Sequence, residues 1–441
     1  MKVENARTRA VVGAFICVVL ATTAFCQQQM TSFERKRAQA TLHDIDSDVR
    51  KHYYDPKFHG LDWDGKVRET EQKIDKADSV SQALLDIAAL LDSLNDSHTL
   101  LIPPPPRLGH DYGWQAQLIG ERCYVIRVRP GSDAEAKGLK PGDEILGING
   151  YAPTRKTFEK ISYFFDKLRP QSSLRLALRD ATGEERTVNI AAKIIERHAV
   201  LEDHFASGLD IRAKIRNMDR ARASAPRVVE MGDELMILKF PHFFSTESAI
   251  DSLIGNARKH KALILDLRGN LGGETSTLEF LVAGVFDKEI KIADRLSRDE
   301  HKAMVTRKRG RGFDGKLLVL VDSLSSSASE LFARVIQIEK RGVVLGDHSA
   351  GMVMEAQIYG YGFGVGFGSP YGASITEADL IMADGKSLEG VGVTPDEVVL
   401  PTAADLEAGR DPALARAAEI AGVKLSPESA GKLFPYEWPP D

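Results

Sequence analysis

The sequence predicts an α+β protein of several domains, and three observations predict it. Apolar residues recur at helical spacing through the first hundred residues. Short strand-like runs broken by turn residues follow. From Val228 onward, strands and helices alternate. At 441 residues the chain is long enough for two or three domains. Its composition, 43% hydrophobic and 27% charged, is that of a globular protein. A formal net charge of -5 provides no basic footprint for nucleic acid.

At the N-terminus, Lys2, Arg7 and Arg9 precede an apolar run from Val11 to Phe25, and the chain then turns polar at Gln27. This pattern predicts a signal peptide over residues 1–26 and a secreted or periplasmic location. The run is shorter than the about 20 apolar residues of a membrane span. A membrane tether follows only if the segment is retained or Cys26 is lipidated, and the bulky Phe25 before it argues against lipidation. Without Cys17 and Cys26 the mature chain keeps Cys123 alone, so it holds no intramolecular disulfide. Cys123 sits in a strand-like run and is expected to pack rather than react.

Residues 30–105 are predicted to form a helical domain. Ala38, Leu42, Ile45, Val49 and Tyr53 make one stripe, which Asp55-Pro56 ends. A second helix runs from about Val80 to Leu94, with Leu84, Ile87, Leu91 and Leu94 on one face. It stops at Asn95-Asp-Ser-His-Thr99, and the prolines at 103–106 form a stiff boundary. Residues 106–195 carry strand-like runs at 124–128, 144–148, 174–178 and 187–190. A short helix between Ser132 and Gly138 and a second marked by Phe158, Ile161, Phe165 and Leu168 complete a small separate domain. Residues 196–225 read as a charged linker. Residues 226–402 read as an α/β core, with strands at 235–240, 262–267, 317–321 and 343–345 and helices from Thr275 and Ala328. Residues 403–441 read as a polar helical tail.

The chemistry-bearing segments each have a plain alternative. The run from Leu317 to Glu330 is a buried strand, a serine-rich turn and a helix start. Ser327 and Glu330 fit a capping box. A nucleophile at Ser327 would instead have the Ala328 N–H aimed at its oxyanion. Asp266 to Gly273 is either a tight or phosphate-binding turn or a source of a second oxyanion donor at Gly272 or Gly273. It lacks Gly-x-Gly-x-x-Gly. His98, just past a helix, reads as a capping or surface residue, and Glu389, in a glycine-rich segment, reads as a solvated one. No His-Glu-x-x-His and no cysteine–histidine cluster occurs, so neither zinc nor any other cofactor is expected.

Taken in order, these segments resemble the tail-specific (C-terminal processing) and tricorn-type serine protease family. Tyr53-Tyr-Asp-Pro56 and Leu94-Asn-Asp-Ser-His-Thr99 resemble its N-terminal helical domain. Val128 to Gly150, with Pro-Gly-Asp at 141–143, resembles a PDZ domain. Leu265 to Gly273, Ser325 to Glu330 and Glu389 to Asp396 resemble the protease core. The resemblance implies a crotonase-like spiral of ββα units in that core, Ser327 as nucleophile, and Ala328 and Gly273 as oxyanion donors. The tail-specific branch takes its base from a lysine, and here Met352 stands in its place. A thioether cannot accept the proton, so a Ser–Lys dyad is excluded there. The tricorn-like branch uses a serine-preceded histidine and a distant glutamate, which Ser97-His98 and Glu389 match. On that reading His98 moves the proton, Glu389 orients it and Ser97 supports the network. His348 is a rival base by proximity. The implied partners are polypeptides, and the implied carboxylate loop is Tyr112-Gly113-Trp114-Gln115; because it departs from the usual Gly-Leu-Gly-Phe, the readings are recognition of a C-terminus, of an internal segment, or a gating role. The alternative is a non-catalytic peptide-binding relative with an inactive cleft.

Overall fold

A computed structural model describes residues 30–103, 108–196, 225–308, 310–361 and 371–438. The expected signal peptide and nearly all of the expected linker lie outside these residues.

Helix α1 (Ser32–His52) opens with a capping box between Thr31 and Glu34. Its expected stripe is buried from Ala38 to Val49, and Tyr53 is buried just past its end. Helix α2 (Trp63–Lys76), which the apolar spacing did not reveal, packs Trp63, Val67 and Ile74 into the same core. Helix α3 (Val80–Asp92) buries Ile87 and Leu91, and Leu84 is only half-buried. Strand β1 (Leu100–Ile102) then leaves this layer.

The next segment contains β2 (Leu108–Asp111), β3 (Trp114–Ile119), β4 (Arg122–Val128), α4 (Asp133–Ala136), β5 (Glu144–Ile148) and α5 (Phe158–Tyr163). It continues with β6 (Ser173–Arg179), β7 (Glu185–Ala191) and β8 (Lys193–Glu196). Strands β3 to β7 form one sheet in sequence order, which leaves β3 at an edge, and β2 pairs with β8. Leu118, Val125, Ile145, Leu176 and Ile190 fill the core of this PDZ-like unit. Cys123 is buried there, which pushes its thiol up to about 12 and fits a packing role.

The larger sheet is built from β9 (Arg227–Met231), β10 (Leu235–Lys239), β11 (Ala262–Asp266), β14 (Lys316–Val321), β15 (Gly342–Gly346) and β18 (Glu397–Val398). Its order is β18-β15-β14-β11-β10-β9, parallel except for β9. The central strands are apolar at nearly every position because both faces are covered. Helices α6 (Glu247–Ala257), α7 (Thr275–Val285) and α8 (Ala328–Ile338) pack over Met236, Leu238, Leu265 and Val319. The other face, Ile237, Ile264 and Leu320, receives the C-terminal segment. That segment holds α9 (Ala403–Glu407), α10 (Pro412–Ala421) and α11 (Pro427–Ala430). Helix α10 buries Ala413, Leu414, Ala417 and Ala418, so the expected polar tail is in fact the second cover of the sheet.

A second sheet joins β12 (Lys291–Ser297), β13 (His301–Val305), β16 (Met354–Tyr361) and β17 (Tyr371–Met382). Strand β1 pairs antiparallel with β17, with Leu100 opposite Ser374. Ala373 and Ile375 of β17 enter the core of the helical layer. The first helices and this sheet therefore share one hydrophobic interior. The carboxyl ends of β11, β14 and β15 face the same edge of the larger sheet, which is where open α/β sheets bind ligands.

Candidate active site

Chain leaving β14 makes a serine-rich turn into α8. Ser325 and Ser329 are fully buried, and their hydroxyls donate to the carbonyls of Leu267 and Asn270 at 2.9 Å. Ser327 instead lines a cavity of about 810 Å³. Its backbone lies at φ 55, ψ -120, not in the extended region an ordinary N-cap occupies. Glu330 supplies half of the expected box by accepting the Ser327 N–H at 3.1 Å. A capping role alone does not call for a serine in a left-handed conformation, which costs about 1–3 kcal/mol and persists at functional turns.

The loop after β11 packs against this turn. The Gly272 N–H donates to Asn270 Oδ1 at 2.8 Å, and the buried Asn270 side chain donates to Phe240 O at 2.7 Å. Among the described residues, the N–H groups of Gly273 and Ala328 meet no protein acceptor, and both residues line the cavity. Gly273 is thereby separated from Gly272, whose N–H is occupied. Close approach requires glycine here. A Cβ on Gly272 would sit 2.7 Å from Ser327 Cβ, and one on Gly273 would sit 2.5 Å from Phe243 O.

His98 reaches the same cavity from the loop between α3 and β1. It makes no direct hydrogen bond to Ser327. Its backbone N–H and that of Thr99 donate to Asp96 Oδ1 at 2.9 and 2.7 Å. Thr376 of β17 donates to the same oxygen at 2.6 Å, which ties the loop to the second sheet. His98 Nδ1 lies 2.6 Å from Ser97 Oγ, and Ser97 Oγ donates to Glu389 Oε2 at 2.9 Å. The Ser97 N–H donates to Glu389 Oε1 at 2.7 Å. Ser97 therefore stands between Glu389 and His98, so any orienting of His98 by Glu389 runs through the Ser97 hydroxyl. Burial lowers the His98 pKa from its usual value, and the Asp96 charge partly opposes this. Burial raises Glu389, against hydrogen bonds from Val353 and Ser97. Neither His348 nor Met352 lines the cavity; the His348 carbonyl accepts from Arg155 at 3.0 Å.

The three carboxylate-loop residues do not act as one group. Gly113 lines a second cavity of about 380 Å³ together with Asp111, Arg129 and Ser132. Its N–H is taken by Asp111 Oδ1 at 2.9 Å, and Arg129 is paired with Asp111 at 3.0 Å. Trp114 packs toward the small-domain core, and Gln115 donates to the Tyr436 hydroxyl at 2.6 Å. No group of three or more metal-ligating side chains occurs among the described residues.

Residues 234–399 match the profile of peptidase family S41, and residues 108–163 match that of the PDZ domain. Residues 234–399 thus form an S41-type peptidase domain beside a PDZ domain. The chain is 23% identical over 413 residues to a Streptomyces coelicolor protein named as a putative tricorn protease homolog. The match covers 89% of this chain and 33% of that protein. It is 26% identical over 384 residues to the chloroplastic C-terminal processing peptidase of Tetradesmus obliquus, covering 81% and 77% of the two chains. The solved structure of mature CPAF with lactacystin shares its fold, with a TM-score of 0.61 at 15% identity, and the match covers 85% of this chain and 96% of that one. The sequence singles out Ser327, His98, Ser97, Glu389, Ala328 and Gly273, and all but Ser97 and Glu389 line the one cavity. Asn270 was missed as a partner of the glycine loop. An asparagine between Gly269 and Leu271, just past a buried strand, was the available signal.

Proposed function

We propose that this chain is a secreted or periplasmic serine endopeptidase acting on unfolded polypeptides or on exposed C-terminal tails. The algal relative is named for C-terminal processing, and the PDZ-like unit offers a peptide-binding module for that task. The expected signal segment supports export; no helix among the described residues is long and apolar enough to cross a membrane. The segment limits given above and the crotonase-like ββα arrangement of the core belong to the same proposal, which the alternation of parallel strands and covering helices supports.

One observation carries the reading: Ser327, two unpaired N–H groups and a histidine held by Ser97 and Glu389 meet at a single cavity. In the proposed reaction Ser327 Oγ attacks the scissile carbonyl carbon while His98 Nε2 takes its proton. The Gly273 and Ala328 N–H groups bind the oxyanion. The imidazolium then protonates the leaving amine as the C–N bond breaks, and water activated by the same histidine releases the acyl group.

The test is labelling of the full chain with a fluorophosphonate, followed by mapping of the modified residue and hydrolysis of an unstructured peptide. Ser327 is expected to carry the label, Ser327→Ala to lose it, and His98→Ala to slow cleavage by about 10²- to 10⁴-fold. Equal cleavage by all three proteins would refute the site. Absence of labelling and cleavage in the wild type would leave a peptide-binding relative.

A further inference from the structure

Glu330 does more than a helix cap requires. It is fully buried and accepts four hydrogen bonds. Oε2 accepts the Ser327 N–H at 3.1 Å and the Met352 N–H at 3.0 Å. Oε1 accepts the Ser349 hydroxyl at 2.6 Å and the Gly351 N–H at 2.8 Å. One residue further on, the Val353 N–H donates to Glu389 Oε2 at 2.8 Å. The Met352 carbonyl returns to accept the Ser327 N–H at 2.9 Å. The adjacent amides of Met352 and Val353 thus point to two different carboxylates, the buried Glu330 and the half-buried Glu389. One holds the backbone of Ser327, and the other holds Ser97, whose hydroxyl meets His98 Nδ1.

We propose that Glu330 is a positioning residue, which sets Ser327 in register with His98 through the main chain at Met352-Val353 and Glu389. The proposal rests on the reading of Ser327 and His98 as the reacting pair. It assigns a use to the Met352 position: the side chain takes no part, and the main chain serves as a spacer of fixed length. Removal of one donor from a buried carboxylate leaves the group unsatisfied, so sliding of this segment is costly from either end. Ser327 and His98 reach the cavity from different segments with no hydrogen bond between them, so their spacing depends on such a frame.

The ionised form of Glu330 is needed to accept all four donors, and protonation would turn one oxygen into a donor. None of its four partners is charged. The titratable groups on the other side of the Met352-Val353 segment are Glu389, His98 and Asp96. Burial pushes Glu330 up to about 7 in spite of the four hydrogen bonds. Activity should therefore rise with pH through that value, in addition to the deprotonation of His98 at lower pH.

The experiment compares the full-length wild type with Glu330→Gln, Ser349→Ala, Glu389→Gln and the Glu330→Gln/Glu389→Gln double variant. Thermal melting, fluorophosphonate labelling at Ser327, and kcat and KM for an unstructured peptide against pH are the readouts. Folded Glu330→Gln is expected to lose about 100-fold in kcat, with KM nearly unchanged. Ser349→Ala should lose less, and its acid limb should move to higher pH because one hydrogen bond that lowers the Glu330 pKa is gone. The double variant should be little worse than the poorer single variant, since both cut one connection. A folded Glu330→Gln with wild-type kcat, or Ser349→Ala with an unmoved acid limb, overturns the inference. If Glu330→Gln does not fold, Ser349→Ala decides. A wild type that takes no label at Ser327 removes the reacting pair, and the positioning role falls with it.

Discussion

Ser97 has one hydroxyl proton, and Glu389 takes it. The 2.6 Å contact with His98 is then made by an Nδ1–H that donates to Ser97 Oγ. This tautomer leaves Nε2 with the lone pair that a base needs. Ser97→Ala should therefore cost about 10- to 100-fold in kcat, with labelling slowed in parallel, whereas Ser97→Thr should retain much of the activity. Equal kcat values for Ser97→Ala and wild type would remove the relay. At this scale the residues proposed to react could be named because their types and order match a known pattern, and four of them line one cavity. The route between them was not. A glutamate at the third position of a helix reads as a cap from sequence, and only its burial reveals the other three donors.

The end of β11 joins the glycine loop to the C-terminal segment. Arg268 bonds Asp266 at 2.8 Å and Asp411 at 2.7 Å, and Asp411 caps α10 through the Leu414 N–H at 3.0 Å. Lys239 lies 3.2 Å from Asp266 as well. Burial alone would raise the Asp266 carboxyl, but Arg268 and Lys239 hold it well below the usual carboxylate range. A depressed pKa contributes stability above the unfolded value and loses it as pH falls through the folded value, so this cluster resists mild acid. Asp266→Ala should cost about 3 kcal/mol, read from the urea midpoint, because it removes the buried carboxylate that the half-buried Lys239 and Arg268 share. A loss below about 1 kcal/mol would show that Asp411 alone suffices. The parallel strands were legible as elements because burial on both faces makes them uniformly apolar. Strand β17 was not, since Glu377 and Asp379 interrupt its apolar face. Helix α10 was misjudged because alanines bury little area each yet pack closely on a sheet.

Across the whole molecule, the PDZ-like unit rests on the core through polar ties. Asp347 accepts Arg155 at 2.8 Å and the Gly120 N–H at 2.9 Å, and Gln117 donates to Asp322 at 2.7 Å. The C-terminal segment adds Arg127 over the Tyr436 ring at 4.2 Å and Arg129 over the Trp438 ring at 4.8 Å. Such contacts permit domain motion. Each cation–π contact is worth about 0.5–1 kcal/mol at an exposed site, so the double variant Tyr436→Ala/Trp438→Ala should speed amide exchange in β3 and β4 by about tenfold. Unchanged exchange would show that the tail does not brace this unit. None of this docking was legible in the sequence, because it depends on which surfaces meet after folding. The division into a helical segment and a core was legible as pattern, yet β1 and β17 merge their interiors. The distance in sequence between Ser97 and Glu389, 292 residues, also bears on how such a peptidase is made. A nascent chain carries its histidine early and its serine later, but the glutamate that completes the relay is translated after both. On the proposed mechanism a growing chain therefore holds its histidine and serine before the relay between them is complete, and it reaches full activity only once residue 389 has been added and folded back onto Ser97.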